Sequence, residues 1–197
     1  MAPAQKHRAG LVAAAMTLFR RQGYAATGLA EILAESGAPK GSLYHYFPDG
    51  KEAVGEAALR WAAERMGGAM LQLAADNPDP RDFIRAYARA ASAGMETSAF
   101  REGCALATIT LETVPQSPRI TGASRDAFDG WNRLVARSLR HAGVAPERAK
   151  DLAELIISSF EGAMILARVR QDTAPLLRVA EELVRVVDNE LQPTRSV

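Results

Sequence analysis

The chain has 197 residues, 48% of them hydrophobic and 24% charged, with a net charge of +1. That length carries one large domain or two small ones around a buried core, and the near-cancelling charge excludes a global basic field for indiscriminate nucleic-acid binding. A single cysteine, Cys104, excludes an internal disulfide and a cysteine-rich metal site, so a reducing cytoplasm is the simplest compartment. No signal peptide is expected in the first ten residues, and no apolar run approaches the length of a membrane span.

The first helix is predicted from about Lys6 to Gln22. Leu11, Ala15, Leu18 and Phe19 form its apolar stripe, and Arg20 and Arg21 fall at the C-terminal end, where the macrodipole favours cations. Lys6 and Arg8 read as charges on a flexible arm, solvated more readily than bound to phosphate. Gly23 ends the helix. Thr27 then stands as an N-cap candidate ahead of Leu29, Ile32 and Leu33, which share a helical face. Gly37 suits a helix stop, and Pro39 suits the first position of a new helix because its ring presets φ.

The segment from Lys40 to Phe47 is unusual. Leu43 and Phe47, four apart, can anchor one face to a core, while Lys40, Gly41, Ser42, Tyr44 and His45 occupy the start and the other face. A cation, a bare backbone, a hydroxyl, a phenol and an imidazole on one surface suit phosphate oxygens and base edges. The same pattern equally fits a solvated amphipathic helix, since helix-turn-helix pairs also occur without DNA. Charge leans toward DNA: residues 1–47 carry a local +3 and the remainder −2.

Pro48-Asp49-Gly50 signals a turn, and Lys51 opens a helix to about Ala75. A lysine at a helix start opposes the macrodipole, which points to an anion there. Asn77-Pro78-Asp79-Pro80 is the clearest breaker. Further helices are predicted at about Arg81–Thr97, Ala105–Val114, Arg119–Ala142, Glu147–Arg170 and Pro175–Leu191, punctuated by Gly103, Pro115, Pro118, Gly143 and Pro146. No period-two alternation and no internal repeat occur. The expected fold is all-α with roughly nine helices.

Leu155 to Ala167 is apolar around most of its circumference, with one charge at Glu161. Leu176, Ala180, Leu183, Val184, Val187 and Leu191 make one stripe on the last helix. Such a pair needs more than one neighbour, and periodicity leaves open whether that is the chain's own core or a second subunit. Catalysis finds no support. His7, His45 and His141 are scattered without metal-ligand spacing, and Asp126, Asp129 and Glu161 read as solvated faces. No enzyme, metal or cofactor is expected.

The run Ser36-Gly37-Ala38-Pro39-Lys40-Gly41-Ser42-Leu43-Tyr44-His45-Tyr46-Phe47, followed by Lys51-Glu52, closely resembles the DNA-binding signature of TetR-family transcriptional regulators. Its form is most like the LmrA/YxaF-type branch, and the resemblance covers the first fifty-odd residues. It implies a three-helix helix-turn-helix DNA-binding domain at residues 1–50 and a helical ligand-binding and dimerisation domain at 51–197. The DNA contacts it implies are Thr27, Lys40, Gly41, Ser42, Tyr44, His45 and Lys51, with Lys51 holding a phosphate. Ala38 and Pro39 depart from the wider family, which commonly has a capping hydroxyl residue and a valine there, so one hydroxyl–phosphate contact is in doubt.

The resemblance also implies a homodimer joined through the last two long helices. Leu155, Ile156, Ala163, Leu176, Ala180, Leu183, Val184 and Val187 are its candidate interface, and the two heads would meet half-sites about 34–36 Å apart. It implies a pocket for a small effector, with Met95, Phe100, Cys104, Thr108, Phe128, Trp131, Phe160 and Met164 as candidate walls. Phe83 and Tyr87 are further apolar candidates, and Thr110 and Asn132 are polar ones. The implied function is repression: the dimer binds a palindromic duplex operator, and an apolar or aromatic effector releases it. Two rivals are a helical small-molecule-binding or catalytic protein whose helix-turn-helix is structural, and an architectural DNA-binding protein without an effector.

Overall fold

The computed structural model describes residues 3–192. Among the described residues the chain forms nine α-helices and no strand: α1 (Pro3–Gln22), α2 (Leu29–Ser36), α3 (Lys40–Tyr46), α4 (Lys51–Asp76), α5 (Pro80–Thr97), α6 (Ala105–Thr113), α7 (Pro118–His141), α8 (Pro146–Arg170) and α9 (Ala174–Leu191). The all-α expectation holds, and most boundaries fall within a residue or two of the Gly and Pro signals. None of these helices is long and apolar enough to cross a membrane. The chain groups into two compact units, residues 1–65 with 104–127 and residues 66–103 with 128–197.

In the first unit α1 packs on α2, α3 and α6. Leu11, Ala15 and Phe19 of α1, Ile32 of α2 and Leu43 of α3 are fully buried, so each short helix is held by the face its spacing foretold. The arm expected at Lys6 and Arg8 is instead part of α1, which begins at Pro3. The Arg8 guanidinium lies 5.5 Å from the centre of the Phe47 ring, a cation–π contact that ties α1 to the end of α3. The corner between α6 and α7 adds polar ties. Ser117 donates to the Glu52 carboxylate, and Arg119 pairs with Asp49 at 2.8 Å and Glu56 at 3.5 Å. Water screens such exposed pairs, so they set register more than stability.

Gly55 on α4 has a packing reason. A Cβ there would stand 2.7 Å from Cε2 of Tyr24 and 3.3 Å from Cδ1 of Ile120. The Tyr24 ring cannot swing freely, because it also meets Phe19 at 5.1 Å and the Lys51 ammonium at 4.6 Å. Gly55→Ala is therefore expected to destabilise the protein by about 1–3 kcal/mol despite the better helix propensity of alanine, a loss read as a lower urea midpoint.

In the second unit α5 packs on α8 and α9, and α8 packs on α9. The Tyr87 ring lies 6.5 Å from that of Phe83 and 4.7 Å from that of Phe160, a small aromatic core between α5 and α8. Asp79 caps α5 by accepting the Arg81 N–H at 2.8 Å. The Arg81 guanidinium bridges Asp79 and Asp188 at 2.5 and 2.6 Å, fastening the start of α5 to α9. Its hydrogen bonds hold both carboxyls below the usual aspartate range.

The candidate interface set needs correction. Ile156, Ala163, Leu176, Ala180, Leu183, Val184 and Val187 are none of them more than 6% exposed within a single chain. Their neighbour is α5, which closes the apolar stripe of α9 from the side that periodicity left open. Of the eight residues only Leu155 faces outward. The apolar surface that α8 does present is Leu155, Ile165, Leu166 and Val169, 42 to 78% exposed, with exposed Ser158 and Gly162 between them. At 3.6 residues per turn these six fall within an arc of about 100°. On α9 only Leu177 adds a large exposed apolar side chain.

Candidate nucleic-acid interface

The reading pair begins with the turn after α1. Gly23 adopts φ +87°, and the chain reaches α2 through Tyr24–Gly28. Thr27 does not cap α2 as expected. It is 1% exposed, and its hydroxyl donates back to the Gly23 carbonyl at 2.7 Å, which pins the turn and turns the oxygen away from any phosphate. Gly28 takes the cap position, and the Glu31 carboxylate accepts its N–H at 2.7 Å. That bond, and then the Gln22 amide, hold the Glu31 carboxyl below its ordinary range. At the other end Gly37 takes the left-handed conformation, φ +62°, that a helix stop requires. Pro39 is the cap of α3 and not its first residue; its carbonyl accepts the Ser42 N–H at 2.8 Å.

On α3, Leu43 and Phe47 point inward. Lys40, Gly41, Tyr44 and His45 are exposed, and Ser42 and Tyr46 are half-buried. The structure thus brings five of the expected contact residues, Lys40, Gly41, Ser42, Tyr44 and His45, onto one short helix with an open outer surface. His45 stacks edge-on against Tyr46 at 4.8 Å, which limits its rotamers. A Cβ added at Gly41 would meet nothing within 4 Å, so no packing inside the chain explains a glycine there.

Lys51, at the start of α4, is already engaged. Its Nζ donates to the Ala25 carbonyl at 3.0 Å and lies over the Tyr24 ring. Partial burial pulls the ammonium below the usual lysine range, against the attraction of Glu112 and Glu31. Burial, and then the Glu52 carboxylate, push the Tyr24 phenol up. An ammonium has three donors, so a free N–H is left for an anion after the Ala25 bond.

Sequence reading missed two of these partners. Glu31 lies in the expected motif, but its cap is Gly28, so the Ser/Thr-x-x-Glu pattern of a capping box does not announce it. Glu112 accepts the Ala25 N–H at 2.6 Å from 87 residues away, and no local pattern announces it.

The eight candidate pocket walls divide between the two compact units. Met95, Trp131 and Phe160 are buried, and Phe128 meets Trp131 edge-on at 5.6 Å. Cys104 and Thr108, however, belong to the first compact unit and the other six to the second. Thr108 gives its hydroxyl to the Cys104 carbonyl, and Thr110 shares a hydrogen bond with Ser124. None of these candidates lines the open cavity of about 550 Å³ in the second unit, which is bounded by Pro78–Arg81, Ala142, Asp188, Leu191 and Gln192. Two polar atoms of the second unit are buried with no hydrogen-bond partner: Oγ of Ser92 and Oδ1 of Asn132. Among the described residues no group of His, Cys, Asp and Glu is arranged to hold a metal.

Residues 11–58 match the family model for bacterial regulatory proteins of the tetR family, and residues 80–182 match that for the C-terminal domain of LmrA/YxaF-like transcriptional regulators. The HTH-type transcriptional regulator YxaF of Bacillus subtilis is 34% identical over 86% of this chain and 88% of its own length. LmrA of the same organism, also an HTH-type transcriptional regulator, is 31% identical over 88% and 92%. The regulatory protein TetR from Rhodobacter sphaeroides superposes with a TM-score of 0.81 at 27% identity, covering 90% of this chain and 96% of that one.

Proposed function

Because the chain belongs to the TetR family of bacterial transcriptional regulators, with a C-terminal region of the LmrA/YxaF-like type, we propose that it is a homodimeric repressor of a palindromic operator, released by a small apolar or aromatic effector. The family is one of DNA-binding regulators and not of enzymes. The observation that carries the finer reading is α3: a pinned inner face, an open outer face, and a glycine there that leaves the helix backbone open to close approach. Lys40 to His45 enter the major groove, and the free donors of Lys51 hold a backbone phosphate at the edge. Residues 1–50 are the DNA-binding domain and 51–197 the ligand-binding and dimerisation domain. Reading chromosomal DNA makes the cytoplasm its place of work.

Two further observations support the rest. The exposed apolar arc of α8 is self-complementary in kind, and small Ser158 and Gly162 at its middle let a second α8 approach closely. Oγ of Ser92 and Oδ1 of Asn132 are polar atoms of the second unit without a protein partner, which the polar group of a ligand would suit. The proposed effector is small and apolar or aromatic. It must bind the form that cannot dock on DNA more tightly than the form that can, or it shifts nothing.

Sequencing of duplexes selected by the full-length protein from a random pool tests this directly. A palindrome is the expected result; enrichment of nothing in the absence of effector refutes operator binding. On the selected duplex, Lys51→Ala is expected to weaken binding on all sequences alike and to lower the salt slope by about 1. Unchanged affinity and slope in that variant would remove Lys51 from the phosphate contacts.

A further inference from the structure

The turn that precedes the reading pair is gripped from both sides at one residue, through the two peptide groups that flank it. The Ala25 N–H donates to Glu112 of α6 at 2.6 Å, and the Ala25 carbonyl accepts from Lys51 of α4 at 3.0 Å. Both bonds are charge-assisted, and the carboxylate and ammonium attract one another across the residue they hold. Space for the carboxylate has been left: a Cβ at Gly23 would overlap the Glu112 carboxyl group, and Gly23 also holds a φ of +87° that side-chain-bearing residues rarely adopt. Two residues on, Thr27 is buried with its hydroxyl on Gly23, so a displacement of Ala25 is passed to Gly23, Thr27 and the first turn of α2.

We propose that Glu112, with Lys51, clamps the backbone of Ala25 and thereby sets the position of α2 and α3 on DNA. Glu112 is a positioning residue: it lies outside the helix-turn-helix and touches no base, yet governs how well the bases are read. This role rests on the chain being a DNA-binding regulator. It also gives α6 a specific handle on the reading pair, since Glu112 is one residue before the end of that helix and α6 packs on α1. A movement of α6 by about 1 Å is enough to lengthen a 2.6 Å hydrogen bond beyond the range in which it holds.

The test uses full-length Glu112→Ala and Glu112→Gln, a duplex enriched by the wild-type protein, and a scrambled duplex of the same composition. Glu112→Ala is expected to bind the enriched duplex about tenfold more weakly, with scrambled binding and the salt slope unchanged because no phosphate contact is lost. Glu112→Gln, which keeps an acceptor oxygen without the charge, is expected to recover part of that loss. Hydrogen exchange of the Ala25 amide, followed without DNA, should quicken in Glu112→Ala. Enriched-duplex affinity within twofold of wild type overturns the proposal. So does an equal loss on both duplexes with a collapsed melting transition, which makes the role merely structural. An unaltered Ala25 amide removes the clamp alone and leaves operator binding standing, whereas failure of the wild type to enrich any duplex removes the DNA reading itself.

Discussion

Ile165→Glu is expected to yield a folded monomer that no longer holds its operator. Ile165 is 57% exposed on α8, beside Leu166 and Val169, so a carboxylate there meets water and costs the single chain almost nothing. In the proposed two-fold dimer the same position is buried in the apolar seam between the two copies of α8. A charge pressed unpaired into an apolar interface costs several kcal/mol, and the symmetry imposes it twice. Dimer dissociation should strengthen by more than about a thousandfold, read by sedimentation at micromolar protein. Operator affinity should fall with it, because one head makes too few base contacts to bind tightly. Ala163→Glu is the contrasting variant: Ala163 is 2% exposed, so its carboxylate would enter the chain's own core and unfold it. A dimeric, operator-binding Ile165→Glu protein would exclude the α8 arc as the joining surface.

Gly41→Ala should move stability and DNA affinity in opposite directions. Glycine within a helix costs up to about 1 kcal/mol relative to alanine, and at Gly41, in the first turn of α3, the added methyl group meets nothing within 4 Å, so the free protein should melt up to about 2–4 °C higher. In the proposed operator complex the same methyl stands on the outer face of α3, between the helix backbone and the DNA. Pushing α3 away by a fraction of an ångström lengthens every hydrogen bond from Lys40, Ser42 and His45, and an affinity loss of tenfold or more is expected. Calorimetry and fluorescence anisotropy on one preparation decide the matter. Higher stability with undiminished binding would mean that DNA does not approach Gly41.

The two variants show where local pattern is a sound guide and where it is not. Leu43 and Phe47 could be assigned to the core from their spacing because a seven-residue helix has only one face to bury, and both are buried. The helix stop at Gly37 and the break at Asn77-Pro78-Asp79-Pro80 are likewise matters of a few neighbouring atoms. Ile156 and Val187 failed as interface residues for the opposite reason. An apolar stripe says that a partner exists without saying which, and α5, some seventy residues upstream of α8, proved to be that partner.

The amino-acid sequence by itself determined the all-α character of the chain, the places where its helices begin and end, the family it belongs to, and the composition of the outer face of α3. The family follows from the ordered run Ser36 to Phe47, and the rest from propensity, capping and i, i+4 spacing, which act over a turn or two of helix. Only the tertiary structure decided that Thr27 faces inward, that Lys51 is bound to Ala25, that Glu112 reaches the turn before the reading pair, and that α8 and not α9 carries the outward apolar arc. Each of those depends on which segments distant in the chain come to lie against one another, and a side chain such as Glu112 acquires its partner only when the whole unit has folded.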